Sequence, residues 1–286
     1  MRYEAPESLE GAVALLAGAK GEARVLAGGT DLLVQMRADV VDPELIVDIK
    51  KIPETRTVTE EKGGWRIGAA VTGAELKEHA RLKKAWPGVV EAANLIGSTQ
   101  IQGRATLGGN LCNGSPAADS VPALIAAGAL ATLAGPKGRR DLPVEDVMLG
   151  PRKLALTKGE IVVSFLLPPR PGRSSDAYLR FIPRTEMDIA VVGAGVSLSL
   201  DAGGTITAAR VSLGAVAARV LLVSEAAQAI IGSRLDKAAQ DRLEAAARAA
   251  CRPIDDKRGT IEFRTDVAAV LTRRTALIAL DRARSN

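Results

Sequence analysis

The residues best suited to chemistry are two glycine pairs flanked by short polar side chains. The two segments are, in order, Ala27, Gly28, Gly29, Thr30 and Asp31, and Thr106, Leu107, Gly108, Gly109 and Asn110. Each follows an apolar or β-prone stretch and precedes a segment of helical pattern, so its consecutive backbone N–H groups can bind an anion. Two such loops predict a site for the pyrophosphate of a dinucleotide.

A glycine pair taken alone is usually a turn. The pairs at Gly63-Gly64 and Gly203-Gly204 illustrate this, because each lies between two alternating strands. The other two pairs differ, since their Thr, Asp and Asn side chains can orient a phosphate or sugar. A further polar loop at residues 113–119 ends at Asp119, whose carboxylate is placed to accept a hydrogen bond from a ribityl or ribose hydroxyl.

The composition excludes several other kinds of site. The single histidine and two cysteines cannot form a zinc site, a disulfide framework or an iron–sulfur cluster with four cysteine ligands. Neither G-x-G-x-x-G after a first strand nor G-x-x-x-x-G-K-[ST] occurs, so a Rossmann or P-loop site is disfavoured. The sequence therefore predicts no metal site and no catalytic residue of its own.

Charge and hydropathy exclude nucleic acid and membrane insertion. The net charge is +5, but aromatic residues form only 2% of the chain, too few for a base-stacking surface. The uncharged run at residues 120–136 is short, is broken by Pro122, and is predicted to be a buried helix followed by a core strand. The first residues lack the pattern of a signal peptide, so we expect a cytoplasmic protein.

The elements that must position the loops follow from periodicity and capping signals. In the first part we predict helices at residues 7–19, 72–79 and 86–96, strands at 24–27 and 45–49, and a hairpin around residues 63–64. Thr30 or Asp31 is expected to cap a helix containing Leu32, and Thr72 with Glu75 fits a capping box. The Pro-rich segment at residues 168–172 predicts a domain boundary near residue 170, giving domains 1–170 and 171–286.

The second domain has a different pattern. We predict strands at residues 178–182, 190–200 and 205–213, then helices at 221–231, 237–250 and 262–284. This is a small antiparallel sheet packed against helices.

Five segments, taken together, resemble the FAD-binding medium subunits of molybdenum hydroxylases, the family of the carbon monoxide dehydrogenase and xanthine dehydrogenase flavin domains. They are AGGTDLLVQMR at residues 27–37, ATLGGNLCNGSPAADSVPAL at 105–124, KGEIVVSFLLP at 158–168, YLRFIPRTEMDIAVVGAGV at 178–196, and DDKRGTIEFRTDVAAVLTRRTAL at 255–277. The resemblance spans nearly the whole chain in one order, so it is more specific than either loop.

The resemblance implies an α+β fold: a PCMH-type FAD-binding fold of two subdomains, then a C-terminal domain of a three-stranded antiparallel sheet with helices. It implies that the two glycine loops hold the FAD pyrophosphate and that Asp119 bonds the ribityl or ribose. Further residues that it places along the cofactor are Leu26, Leu32, Ile96 and Val162, with Arg180 where relatives often have lysine near the flavin ring. FAD is expected to be noncovalent.

Simpler structural roles remain open for several residues. Arg180 and Arg184 fit a pair of surface cations on a strand, and Cys112 fits a small buried residue lining a loop. His79 fits a cation at a helix C-terminus. The two tryptophans, Trp65 and Trp86, fit the core better than a flavin-stacking position.

The resemblance further implies an electron-transfer subunit of an oxidoreductase. Its partners are a large subunit with the molybdenum cofactor and a small subunit with [2Fe-2S] clusters, in a dimer of heterotrimers, and FAD passes the electrons to a terminal acceptor. The two cysteines exclude the family branch that carries an extra cluster on this subunit. A free-standing flavin enzyme and a flavin-free scaffold are the alternatives, and substrate and acceptor stay open.

Overall fold

The computed structural model describes residues 1–286, and the chain begins with a small parallel sheet. Ser8 accepts a hydrogen bond from Gly11 N (3.1 Å) and caps the first helix, whose buried face contains Leu9, Ala12 and Leu16. The strands pair in parallel in the order β1-β3-β2. The elements are β1 (Arg2–Glu4), α1 (Leu9–Gly18), β2 (Ala23–Leu26), α2 (Leu32–Arg37) and β3 (Leu45–Asp48).

The second unit is a five-stranded antiparallel sheet covered by short helices, in the order β4-β5-β10-β6-β7. The predicted hairpin is β4 with β5, and the predicted capping box is complete: Glu75 N donates to Thr72 Oγ1, and Thr72 N donates to Glu75 Oε2 (2.8 Å). A 3-10 helix at Pro53–Arg56 precedes the sheet. The elements are β4 (Val58–Glu61), β5 (Gly64–Gly68), α3 (Gly73–Glu78), α4 (Ala80–Ala85), α5 (Pro87–Ala93), α6 (Thr99–Gln102), α7 (Leu107–Cys112), α8 (Ser120–Ala126), β6 (Leu130–Gly135), β7 (Gly138–Pro143), α9 (Val144–Val147), β8 (Met148–Gly150), β9 (Lys153–Leu154) and β10 (Ile161–Leu167).

The uncharged run at residues 120–136 contains a buried helix, α8, and a core strand, β6, as predicted. The helix predicted at residues 86–96 is shorter in the structure. It begins at Pro87, a residue suited to the first turn, and its C-cap is Asn94. None of the helices combines the length and apolar composition needed to cross a bilayer.

The C-terminal unit is an antiparallel sheet in the order β11-β12-β13-β14, packed against helices. Its elements are β11 (Ser174–Phe181), β12 (Val192–Leu200), β13 (Ile206–Gly214), β14 (Leu221–Leu222), α10 (Ser224–Gln228), α11 (Lys237–Ala250) and α12 (Ile261–Ser285). The expected three strands are present, and β14 adds a fourth. The start of the helix predicted at residue 221 is therefore wrong: Leu221 and Leu222 pair with Leu213 and Ser212 of β13 instead.

The segment predicted as a domain boundary packs tightly against its surroundings. The Arg170 guanidinium stacks over the Trp86 ring, 3.9 Å from its centroid, and donates to Asp176 Oδ1 at 3.0 Å. Arg282 of α12 donates to Glu91 Oε2 of α5 (3.0 Å), so the last helix also bonds to the second unit. These contacts hold the start of β11 and the last helix against α5.

Candidate functional site

A cavity of about 440 Å³ lies where the parallel sheet meets the five-stranded sheet, and both glycine loops line it. The first loop follows β2 and precedes α2, and the second forms the first turn of α7. The β8–β9 hairpin and the start of β10 also line the cavity. Sequence-distant segments therefore converge on one space.

The first loop presents a run of free hydrogen-bond donors. The backbone N–H groups of residues 28–32 donate to no other atom of the protein. Gly29 has a φ of 78°, which favours glycine, and a Cβ atom at Gly28 would collide with the carbonyl oxygen of Arg104. Unpaired N–H groups in such a curved segment form a binding site for an anion.

The second loop is an ordered helix start. Thr106 is the N-cap of α7, and its Oγ1 accepts a hydrogen bond from Gly109 N at 3.0 Å. A Cβ atom at Gly108 would lie 2.6 Å from Ala69 O, whereas one at Gly109 would meet only Thr106 Oγ1, at 3.1 Å. Gly108 is thus required by packing within the chain, and Gly109 leaves space open for a ligand.

Polar side chains around the second loop are held in defined orientations. Asn110 Oδ1 accepts hydrogen bonds from Ser120 N (3.0 Å) and Ser120 Oγ (2.7 Å), which leaves Asn110 Nδ2 without a protein partner. Asn113 Nδ2 donates to Asp31 Oδ1 (3.2 Å), and Asn113 Oδ1 accepts from Gln35 Nε2 (3.0 Å). Asn113 thereby connects the two loops across the cavity.

The expected side-chain cap of α2 is absent. Asp31 occupies the N-cap position with a φ of −99° and a ψ of −49°, and its side chain makes no capping hydrogen bond. The carboxylate is instead held by Asn113 Nδ2. The capping prediction for Thr30 and Asp31 was therefore wrong, because a partner distant in sequence holds the aspartate.

Most of the predicted site residues line the cavity. The exceptions are Leu26, Leu107, Asp119 and Arg180. Leu26 lies next to Gly29: a Cβ atom added at Gly29 would be 3.0 Å from Leu26 Cδ1. Leu107, the first residue of α7, is 1% exposed and points into the core. Both apolar side chains pack against the glycine loops without reaching the cavity.

Asp119 and Arg180 form a buried ion pair beside the cavity. Arg180 Nη1 donates to Asp119 Oδ2 at 2.8 Å, and Tyr178 OH donates to Asp119 Oδ1 at 3.3 Å. Burial raises the pKa of Asp119 to about 6, against the lowering effect of the Arg180 charge. The surface-cation interpretation of Arg180 is wrong, because its side chain is 5% exposed; Arg184, with 68% exposure, does lie at the surface.

The remaining polar candidates have structural surroundings. Cys112 is exposed to the cavity and so is not the buried residue that we expected. The protein around its thiol nevertheless raises the Cys112 pKa to about 12 by desolvation, which disfavours the nucleophilic thiolate. His79 follows α3 but caps α4: its Nδ1 accepts from Leu82 N (3.2 Å), and its ring packs edge-on against the buried Trp65.

Several cavity residues were not found from the sequence. They are Arg24, Gln35, Val40, Val41, Arg152, Leu154, Leu156, Glu160 and Ile161, among others. Gln35, Glu160 and Ile161 lie in segments that carry the resemblance, but no local signal assigned these residues to the site, because they share a wall only after the sheets have packed together. Asn113 also lines the cavity, and the sequence did indicate it, because it begins the polar loop at residues 113–119.

The arrangement fits a diphosphate-bridged cofactor. Free backbone N–H donors lie only at the first loop, because in the second loop Gly108 N donates to Ala69 O (3.1 Å), Gly109 N to Thr106 Oγ1 and Asn110 N to Thr106 O (3.0 Å). The expectation that both loops offer consecutive free N–H groups was therefore wrong for the second, which offers Asn110 Nδ2 instead, while apolar side chains such as Ile96 and Val162 line the rest of the space. No group of three or more His, Cys, Asp or Glu residues is positioned to hold a metal ion. The free donors and the apolar lining are suited to binding and orienting a cofactor.

Comparison with known proteins agrees with this geometry. Residues 1–170 match the FAD binding domain in molybdopterin dehydrogenase, and residues 177–279 match the CO dehydrogenase flavoprotein C-terminal domain. The chain is 33% identical over 272 residues to the carbon monoxide dehydrogenase medium chain of Hydrogenophaga pseudoflava, covering 95% of this chain and 94% of that protein.

Two further relatives extend the comparison. The xanthine dehydrogenase FAD-binding subunit of Escherichia coli O157:H7 is 31% identical over 274 residues, covering 95% of this chain and 93% of that subunit. The structure of reconstituted CO dehydrogenase from Oligotropha carboxidovorans superposes with a TM-score of 0.94 at 34% identity. That alignment covers 99% of this chain and 98% of the matched chain.

Proposed function

The chain belongs to the family of FAD-binding medium subunits of molybdenum hydroxylases, and we propose that it carries electrons from [2Fe-2S] clusters through FAD to a terminal acceptor. The observation that supports this most directly is the set of unpaired N–H groups at residues 28–32, which face a cavity with room for a ligand. When bound, FAD supplies the redox chemistry.

The residues of this chain have binding and positioning roles in that proposal. The first loop donates backbone N–H groups to the pyrophosphate, and Gly109 allows the cofactor to approach the second loop closely. Asn110 donates through its free Nδ2, and Asn113 holds the two loops at a set separation. Ile96 and Val162, which line the same cavity, provide apolar contacts to the cofactor. Asp119 and Arg180 remain predicted cofactor contacts.

The partners follow from the relatives. Named proteins similar to this chain are medium chains or subunits of multi-subunit dehydrogenases, including the 6-hydroxypseudooxynicotine dehydrogenase complex of Paenarthrobacter nicotinovorans. We propose that a large molybdenum-cofactor subunit and a small [2Fe-2S] subunit assemble with this chain as a dimer of heterotrimers.

The bound flavin is expected to be noncovalent FAD, because the free N–H groups of the first loop and Asn110 Nδ2 of the second match a pyrophosphate, whereas FMN has a single phosphate. Acid precipitation should release the flavin, and mass spectrometry should identify it as FAD. Added FAD should also stabilise the apoprotein by about 2.7 kcal/mol at a hundredfold excess over its dissociation constant. Recovery of FMN alone, or of flavin that stays with the denatured chain, contradicts this assignment.

The isolated chain is expected to oxidise organic substrates slowly or not at all, and to copurify with both proposed partners. The reason is that the proposed role of this chain is to pass on electrons that a partner subunit takes from the substrate. A tagged copy expressed with its genomic neighbours should bring down an iron–sulfur subunit and a molybdenum subunit, and substrate should reduce the flavin of that complex. A chain recovered alone with full oxidase activity would favour the free-standing enzyme instead.

A further inference from the structure

One positive charge in the cavity has no partner within the protein. The charged residues that line the cavity are Arg24, Asp31, Arg152 and Glu160. Arg24 pairs with Glu22 at 2.5 Å, and Glu160 pairs with Arg140 at 2.8 Å. Arg152 is exposed and makes neither an ion pair nor a side-chain hydrogen bond. Its guanidinium is therefore available to a ligand.

The backbone of Arg152 is held in an unfavourable conformation by its neighbours. It has a φ of 58°, in the left-handed region, within the tight turn between β8 and β9. Arg152 N donates to Gly114 O at 2.9 Å, and a Cβ atom at Gly114 would lie 2.9 Å from Arg152 Cα. The turn is thus packed directly on the loop after α7. Such strained positions are common at ligand-binding sites.

These contacts connect Arg152 to the phosphate region. Gly114 follows Asn113, whose Nδ2 donates to Asp31 Oδ1 of the first glycine loop. The first loop provides backbone N–H dipoles and the second provides Asn110 Nδ2, but neither loop carries a full positive charge. A pyrophosphate carries two negative charges and, when held at the first loop, would add to the charge of the Asp31 carboxylate. A free guanidinium is the group that would offset this excess negative charge.

We propose that Arg152 is a further cofactor-binding residue, whose guanidinium binds the pyrophosphate of FAD. This inference rests on the proposed function, since it assigns a new residue to the same site. Arg152 acts by binding, and the redox chemistry does not involve it.

The most direct test is Arg152→Gly, because it removes the positive charge without destabilising the turn that Arg152 occupies. Glycine adopts a positive φ without strain, so the melting temperature of the apoprotein should stay the same or rise. The dissociation constants of FAD and ADP, measured by fluorescence quenching and calorimetry, should increase about tenfold or more. Arg152→Lys, which keeps the charge, should lose less affinity than Arg152→Gly.

Controls identify the part of the cofactor that Arg152 contacts. Lys153→Ala removes the neighbouring cation, which does not line the cavity, and should leave the FAD dissociation constant unchanged. The difference between parent and Arg152→Gly should shrink from about 0.05 M to about 0.5 M salt, because screening weakens a charge contact. Adenosine, which lacks phosphate, should bind both proteins equally.

Three outcomes would overturn the inference. If Arg152→Gly binds FAD within twofold of the parent while the parent binds normally, Arg152 is not a binding residue and the proposed function stands. An equal loss for adenosine and ADP would assign Arg152 to the adenine and not to the pyrophosphate. A parent that binds no FAD would overturn the proposed function together with this inference.

Discussion

Gly109→Val is expected to abolish FAD retention while leaving a folded apoprotein. Within the protein, a Cβ atom at Gly109 would meet only Thr106 Oγ1, at 3.1 Å, so the chain itself can accommodate the added atoms. Valine is also no worse than glycine inside a helix. Its γ-carbons would fill the space that Gly109 leaves open in the cavity wall, so the cofactor could no longer approach the first turn of α7 closely. The flavin absorbance of the purified protein and thermal unfolding of the apoprotein give the two readouts.

Gly18→Val is the matched control for this substitution. Gly18 is also a helical glycine, it lies at the end of α1 outside the cavity, and a Cβ atom there meets nothing within 4 Å. It should retain FAD like the parent. If Gly109→Val retains FAD as well, the second loop is only a helix start, and the assignment of the phosphate site fails.

Arg180→Met is expected to destabilise the FAD-free protein by about 3–5 kcal/mol, because it leaves the buried Asp119 carboxylate without its counter-charge. The side chains of Arg180 and Asp119 are 5% and 10% exposed, so water cannot replace the lost partner. Urea unfolding at neutral pH measures the change. Arg184→Met is the control: its side chain is 68% exposed, and its effect should stay within about 0.5 kcal/mol.

The same pair gives the stability a pH dependence of known sign. The pKa of Asp119 is raised from 3.8 to about 6, so the folded state binds its proton more tightly than the unfolded state. The stability of the parent relative to Asp119→Asn should therefore fall as the pH rises from 3.8 to about 6. In Arg180→Met the fall should continue to higher pH, because the cation that lowers the pKa is gone.

Two results would contradict this role of the ion pair. One is an unfolding free energy for Arg180→Met that lies within about 1 kcal/mol of the parent value, which is the size of effect expected for a solvent-exposed ion pair. The other is a stability difference between the parent and Asp119→Asn that does not change across the acidic range. Either result would show that the buried pair contributes little to stability.

Local signals explain why much of the fold was predictable. Ser8 caps α1, Thr72 and Glu75 complete a capping box, and Thr106 caps α7; each contact joins residues three apart in sequence. Alternating apolar residues likewise predicted strands β12 and β13. The errors occurred where contacts with sequence-distant residues determine the secondary structure. Leu221 is an example, because it pairs with Leu213 and extends the last sheet.

The sequence by itself determined the two glycine loops, the exclusion of metal and disulfide sites, and the resemblance to a family, because these depend on residue types and short spacings. Only the tertiary structure decided which residues reach the cavity and which charges are neutralised. It buried Arg180 against Asp119, exposed Cys112 to the cavity, and left Arg152 unpaired in the cavity wall, packed against Gly114. The physical reason is that burial and charge pairing depend on contacts between sequence-distant segments, which form only when the sheets pack together.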